Sequence, residues 1–92
     1  MNTSIKSPDE LLADLGSRVK ARRGAMTQMD LADKARVSRR ALVDLEAGKG
    51  SSLVTYVRVM KALGLEQQLL DAVPRPTVSP MAMLGKSAGK TR

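Results

Sequence analysis

The sequence predicts an all-α protein, a compact bundle of four to five short helices with a disordered C-terminal tail. Its 92 residues include one tyrosine and no phenylalanine or tryptophan. The core therefore has to be aliphatic, which suits packed helices better than a small β-barrel. Apolar residues also recur at helical spacing between capping residues and glycines over most of the chain. The length allows one small domain.

The first predicted helix covers residues 8–23. Ser7 is a suitable N-cap, and Glu10 at the third helical position completes a capping box. Gly24 is a natural end for the helix, and Gly16 is a candidate break in its middle. The apolar face of this helix consists of Leu11, Leu12, Leu15 and Val19.

Two shorter helices are predicted at residues 28–35 and about 39–47, joined by a three-residue turn. Thr27 and Ser38 are good N-caps for them, and Gly48 suits the end of the second. Their inner faces consist of small and branched apolar residues, Leu31, Ala32, Ala35, Ala41, Leu42 and Leu45.

A fourth helix is expected to begin after Ser51 or Ser52 and to end at Gly64. The segment 65–73 is interpreted as a fifth helix, although alternation of its apolar residues would also fit a strand. The apolar stripe predicted for the fourth helix consists of Leu53, Val54, Val57, Met60 and Leu63.

The helical pattern stops at Pro74, which divides the chain into a domain of residues 1–73 and a flexible basic tail of residues 74–92. The domain carries 12 basic and 9 acidic side chains, and the tail carries four basic side chains and no acidic one. The formal net charge of +7 indicates a polyanionic partner, either nucleic acid or an anionic membrane surface.

The tail contains two Gly-Lys-Ser/Thr triplets, beginning at Gly85 and Gly89. They do not predict a nucleotide site, because a Walker A loop needs GxxxxGK[ST] between a strand and a helix. The absence of cysteine and histidine removes thiol catalysis and the usual zinc ligands. We therefore expect no enzyme activity, cofactor or metal. Without a membrane-length apolar stretch or a signal sequence, a cytoplasmic, nucleoid-associated protein is expected.

Two short helices joined by a tight turn form the helix-turn-helix pattern of DNA-binding proteins. When the inner faces of such helices pack together, the second helix projects and fits the major groove. The residues expected on its outer face are Arg39, Arg40, Val43 and Asp44. Two cations in a first turn oppose the helix dipole, which favours a role for both arginines in binding DNA.

A series of short motifs extends this pattern from the second helix to the end of the fourth: Thr27-Gln28, Leu31-Ala32, Val37-Ser38, Leu45-Glu46, Gly48 and Ala62-Leu63-Gly64. In this order they resemble the phage-repressor (Xre, Cro-type) family of helix-turn-helix proteins. The resemblance covers roughly residues 15–65. It implies a transcriptional repressor that binds double-stranded DNA.

The resemblance also implies roles for individual residues. Gln28 and Lys49 would meet DNA phosphates, and Ser38 would cap the recognition helix beside the DNA backbone. Arg39, Arg40 and Asp44 would face bases. Arg23 and Glu46 match positions that often pair in the family.

Two features depart from the family pattern. Arg36 occupies the turn position that is usually glycine, where a left-handed conformation costs roughly 1 kcal/mol. Its side chain could offset part of that cost by reaching a phosphate. The link from Arg23 to Gln28 is also about two residues shorter than usual.

Two of the outer-face residues have competing interpretations. Asp44 stands four residues after Arg40, so it either forms an ordinary intrahelical ion pair or has a functional role, in which it accepts a hydrogen bond from cytosine N4 or orients Arg40. Val43 either touches a thymine methyl group or is simply a partly exposed apolar residue.

A repressor of this size is expected to act as a homodimer on a palindromic operator. The apolar residues left over for a dimer interface are Tyr56, Leu65, Leu69 and Leu70. A short Xre domain followed by this tail also resembles HipB-like antitoxins, which bind their own operator and a HipA-like kinase toxin. The alternatives are a stand-alone repressor, an RNA-binding basic protein and a protein–protein adaptor.

Overall fold

The computed structural model describes residues 6–77 of the protein. Within this range the chain forms five α-helices and no strand, which confirms the predicted all-α fold. The helices are α1 (Pro8–Arg23), α2 (Gln28–Ala35), α3 (Arg39–Glu46), α4 (Leu53–Ala62) and α5 (Glu66–Asp71). None of these helices is long and apolar enough to cross a membrane.

Side-chain caps set the starts of the first four helices. Ser7 and Glu10 form the predicted capping box, with the Glu10 amide donating to Ser7 Oγ at 3.1 Å and the Ser7 amide donating to Glu10 Oε1 at 2.8 Å. Thr27, Ser38 and Ser52 each accept a hydrogen bond from the backbone amide three residues later. Each cap satisfies one amide that has no partner inside the helix.

Left-handed residues end three of the helices. After α3, Gly48 has a φ of 81°, and the amides of Gly48 and Lys49 donate to the carbonyls of Leu45 and Asp44. This pair of bonds is a Schellman motif, which turns the chain out of the helix while satisfying its last carbonyls. The same bonding pattern follows α2 and α4.

The core lies where α2, α3 and α4 meet, and α1 covers the end of α3. Its buried members are all aliphatic: Val19, Leu31, Ala32, Ala35, Leu42, Leu45 and Val59. Five partly buried residues pack against them, namely Met26, Val37, Tyr56, Ala62 and Leu63. The predicted packing of the inner faces of α2 and α3 is therefore confirmed for Leu31, Ala32, Ala35, Leu42 and Leu45, whereas Ala41 is only partly buried.

Gly16 does not break α1, contrary to expectation. The helix continues through it to Arg23, and Gly16 is buried against the end of α3. A Cβ atom at this position would clash with the carbonyl oxygen of Leu45 and would lie 2.7 Å from that of Glu46. The glycine is present because α1 and α3 approach backbone to backbone.

The predicted apolar faces of α1 and α4 are only partly buried. Leu15 is 39% exposed and Val57 is 40% exposed. The core-facing side of α4 is centred on the fully buried Val59. The residues of its first turn, Leu53 and Val54, are exposed. The stripe residues and α1 leucines that remain exposed are Leu11, Leu15, Leu53, Val54 and Val57.

Residues 65–73 contain the helix α5, which confirms the helical interpretation over the strand. Leu65 precedes it without a side-chain cap. Residues 74–77 form neither helix nor strand. The remainder of the predicted tail, with both Gly-Lys triplets, lies outside the described residues.

We predict that Gly16→Ala lowers the stability of the protein. Helix propensity alone would make the change stabilising by about 1 kcal/mol. The clash with two backbone carbonyls, which cannot rotate away, should reverse the sign and cost about 1–3 kcal/mol. Thermal and urea unfolding followed by circular dichroism measure the change. A variant that is more stable than the parent would contradict the close approach of α1 and α3.

Candidate nucleic-acid interface

The turn between α2 and α3 is built around Arg36. This residue has φ 59° and ψ 45°, and it is the one non-glycine residue with positive φ among residues 6–77. Its carbonyl accepts a hydrogen bond of 3.0 Å from Arg58 Nη1 in α4. Val37 packs on the core and Ser38 caps α3, its Oγ accepting from the Ala41 amide at 3.0 Å. These contacts define the angle at which α3 leaves the turn.

The helix α3 separates an apolar inner face from a polar outer face. Leu42 and Leu45 are buried, whereas Arg39 and Arg40 are exposed at its N-terminal end. Val43 is partly buried, so less of its side chain is available to a ligand than of either arginine. The structure thus places both predicted base-contacting arginines on one exposed end of the projecting helix.

Asp44 lies beside Arg40, with 3.3 Å between Arg40 Nε and Asp44 Oδ1. The Arg40 side chain is 81% exposed, so this ion pair contributes little to stability. The contact is the intrahelical ion pair that the first interpretation of Asp44 predicts. It also holds the guanidinium in one orientation over the outer face, so that both interpretations of Asp44 remain compatible with the structure.

A buried ion pair joins α1 to α3. Arg23 Nε lies 2.8 Å from Glu46 Oε2, and Arg23 Nη2 donates to Glu46 Oε1 at 3.0 Å. The side chains are only 13% and 3% exposed, respectively. The pairing implied by the family resemblance is therefore present, despite the short link between α1 and α2. Arg23 Nη1 also donates to the Met26 carbonyl at 2.7 Å, which holds that link in place.

The pKa of Glu46 reflects two opposing effects. Burial raises the pKa of this carboxyl group, but the hydrogen bonds from Arg23 and Gln28 outweigh burial and hold the pKa below its usual value. The Glu46 hydrogen bond in turn raises the pKa of Arg23. Glu46 is therefore ionised in the folded protein at neutral pH, and its charge is compensated by a bidentate guanidinium.

Gln28 belongs to the same network. Its Nε2 donates to Glu46 Oε1 at 3.0 Å and the residue is partly buried. An amide nitrogen carries two N–H groups, so one is used by Glu46 and the second can still meet a phosphate. The sequence pattern suggested Gln28 as a phosphate contact, but it did not suggest that Glu46 orients it.

Lys49 is exposed just after the end of α3. Its backbone amide donates to the Asp44 carbonyl at 2.9 Å, so that amide is committed to the Schellman motif. The ammonium group is the part of Lys49 that can reach a phosphate. Gly48 holds the loop close to α1, because a Cβ there would lie 2.8 Å from the Ala13 Cα.

The four residues predicted for a dimer interface differ in exposure. Tyr56 packs on the core, and together with Leu65 it lines a groove between α1 and the α4–α5 pair. Leu69 is partly buried, and Leu70 is 66% exposed. The exposed leucines of α1 and the exposed first turn of α4 add further apolar surface that the sequence assigned to the core.

No protein-family model, curated protein or solved structure matches this chain. Across residues 6–77, no group of three or more acidic side chains is placed to hold a metal ion. The geometry of α3 and its surroundings is therefore the basis for a functional proposal.

We predict that Arg36→Gly stabilises the protein by up to about 1 kcal/mol, because glycine adopts the left-handed conformation without steric cost. The substitution keeps the carbonyl that Arg58 contacts. Urea unfolding measures the difference, with Arg36→Ala as the control. Alanine removes the same side chain but retains the strain, so an equal gain in both variants would contradict this explanation.

Glu46→Gln is expected to destabilise the protein by about 2–3 kcal/mol at neutral pH, because it leaves the enclosed Arg23 guanidinium without a counter-charge. Since folding lowers the pKa of Glu46, its ionised form stabilises the protein above its unfolded-state pKa, and this stabilisation is lost as the pH falls through the lower folded-state value.

The stability difference between parent and Glu46→Gln should accordingly shrink upon acidification below about pH 4.5. Urea unfolding at several pH values measures it. The exposed Glu66 of α5 provides the control, since Glu66→Gln should change stability by less than about 0.5 kcal/mol. A difference that is constant down to strongly acidic pH would show that the Glu46 charge is not what stabilises this network.

Proposed function

We propose that the protein is a sequence-specific DNA-binding transcriptional regulator, a repressor that inserts α3 into the major groove. The observation that carries the proposal is the arrangement of α3. Its inner face is buried against the bundle, while Arg39 and Arg40 are exposed together at its N-terminal end. With its side chains an α-helix is about 10–12 Å across, which matches the width of about 12 Å of the major groove.

In this mechanism the two arginines read base edges. A guanidinium group matches guanine O6 and N7 with two parallel hydrogen bonds, each good pair being worth about 1–3 kcal/mol of discrimination. Arg40 is oriented by Asp44, which reduces the conformational entropy that binding would cost. The Asp44 carboxylate has two acceptor oxygens, so it could also accept from cytosine N4.

Residues around α3 would position the protein on the DNA backbone. Gln28 offers its second amide proton at the N-terminus of α2, and Lys49 offers its ammonium group beyond the C-terminus of α3. Ser38 and Arg36 stand at the opposite end of α3. Such contacts to phosphates orient a protein on the duplex but carry no sequence information.

A two-fold dimer would place two α3 helices in successive major grooves, with half-sites about 34 Å apart. The apolar surface offered to a second copy includes Leu70 of α5 and the groove lined by Tyr56 and Leu65. The neighbouring exposed leucines of α1 extend it. A palindromic operator follows from this symmetry.

A HipA-like kinase toxin is the partner suggested by the HipB resemblance, and an autoregulatory antitoxin is the corresponding finer proposal. The stand-alone repressor is the alternative. A kinase-like reading frame next to the gene, whose product co-purifies with this protein, would support the antitoxin. Its absence would favour the stand-alone repressor.

RNA is a weaker candidate ligand than duplex DNA. Single-stranded RNA is usually held by stacking of bases on aromatic side chains. Tyr56 is the sole aromatic residue of the chain, and it packs against the core, away from the exposed end of α3. A protein–protein adaptor is the remaining alternative, and it would make Arg39 and Arg40 dispensable for activity.

We predict that Arg40→Ala weakens binding to the specific operator about tenfold or more and binding to unrelated duplex DNA much less. The reason is that a base contact is lost only on the specific site. The operator can be selected from a random duplex library and compared with the DNA upstream of the gene. Fluorescence anisotropy then gives both affinities.

The matched control is Arg75→Ala, which removes the same charge from an exposed position beyond α5. It should lower the two affinities equally and slightly. If Arg40→Ala also lowers both equally, Arg40 does not read bases. If the parent protein binds no duplex DNA, the proposed function is wrong.

A further inference from the structure

A basic depression lies between the end of α2, the turn that follows it and the C-terminal half of α4. Its lining consists of Lys34, Ala35, Arg36, Arg58, Lys61 and Ala62. Four of these six residues are cationic and none is acidic. The two alanines form its floor, since Ala35 is buried and Ala62 is partly buried in the core.

The charges of this depression are not neutralised by the part of the protein that the structure describes. The ion pairs between residues 6 and 77 involve Lys6, Arg18, Arg23 and Arg40, and none involves a lining residue of the depression. Four like charges around one shallow site repel one another. A bound anion would remove that repulsion, so the site is suited to an anionic ligand.

The guanidinium of Arg58 is fixed at this site. Its Nη1 donates to the Arg36 carbonyl at 3.0 Å, and Arg36 is the strained residue of the helix-turn-helix turn. An arginine has five N–H donors, so this single bond leaves most of them for a ligand. The contact joins residues 22 positions apart and so connects α4 to the turn that precedes α3.

The depression reaches the turn that precedes α3. Arg36 lines the depression, and only Val37 separates it from Ser38, the N-cap of α3. At the other end of α3 stands Lys49. Cations therefore flank both ends of α3, and the helix diameter of about 10–12 Å fits the major groove. The phosphates of a DNA strand that passes the N-terminal end of α3 would therefore lie next to the depression.

We propose that this depression binds the sugar–phosphate backbone of DNA beside the major groove that α3 enters, with Lys34, Arg58 and Lys61 as phosphate ligands in addition to Arg36. The helix-turn-helix pattern does not predict these three residues. This inference rests on the proposed function, since it extends the same DNA interface. An acidic protein segment is the competing ligand.

The physical signature of a phosphate site differs from that of a base contact. Each phosphate neutralised by a cation contributes about 0.9 to the slope of log affinity against log salt concentration. It contributes alike to specific and unrelated duplexes, because phosphates carry no sequence information. Because both copies of the proposed dimer carry the change, removing two cations from each depression should lower that slope by about 3.6 and leave the specificity ratio unchanged.

The test is the double variant Lys34→Gln, Lys61→Gln in the full chain. Both side chains are exposed, and the substitutions leave Arg58 in place to hold the turn. Fluorescence anisotropy is measured on the operator and on an unrelated duplex at several salt concentrations. The control double variant Lys6→Gln, Arg75→Gln has the same net charge, and both of its positions are exposed and lie outside the depression and the grooves around Tyr56.

We expect the Lys34/Lys61 variant to lose affinity equally on both duplexes and to show the lower slope, whereas the control keeps a slope close to that of the parent. Equal slopes in the two double variants would overturn the inference, because net charge alone would then account for the loss. Suppose that the Lys34/Lys61 variant keeps the salt slope of the parent but no longer binds an acidic peptide that the parent binds. That result would overturn the inference and identify an acidic protein segment as the ligand. Failure of the parent to bind either duplex would overturn the proposed function first. Circular dichroism establishes that both variants are folded.

Discussion

The arrangement of α3 depends on the ion pair between Arg23 and Glu46. It joins the last residue of α1 to the last residue of α3 across a gap of 23 positions, and both side chains are largely enclosed. Two further hydrogen bonds, from Arg23 to the Met26 carbonyl and from Gln28 to Glu46, connect this ion pair to the α1–α2 link and to the start of α2. One carboxylate therefore organises three helix ends. A buried charge of this kind is costly without its partner, so the bundle tolerates only the arrangement in which these ends meet.

Close backbone packing supports this ion pair. Gly16 lets α1 lie against the carbonyls at the end of α3, and Gly48 lets the following loop approach Ala13. The small alanines of α2 allow α3 to approach from the other side. Because α3 is held at its end by α1 and along its inner face by α2, its outer face is presented on a rigid support. Ligand-binding side chains are placed more accurately on such a helix than on a loop.

Much of this fold could be predicted from the sequence, because helix ends depend on local chemistry. Ser7, Thr27 and Ser38 identify helix starts through bonds within three residues. It was harder to predict which face of α4 is buried. Val57 is exposed and Val59 is buried, although both are valines, because different neighbours pack on them. The contact between Arg58 and Arg36 likewise has no local signal. Of the candidate site, the outer face of α3 was predictable from periodicity, whereas the orientation of Gln28 by Glu46 depends on tertiary contacts.

The position of Tyr56 has a spectroscopic consequence. It is the sole aromatic side chain of the chain, and it packs on the core while lining two grooves that residues of α1 also line. With no tryptophan to quench or mask it, its ultraviolet emission comes from one known place in the bundle. The protein thus carries a built-in optical reporter of the space between α1 and α4, and a change in these grooves can be followed without attaching a dye.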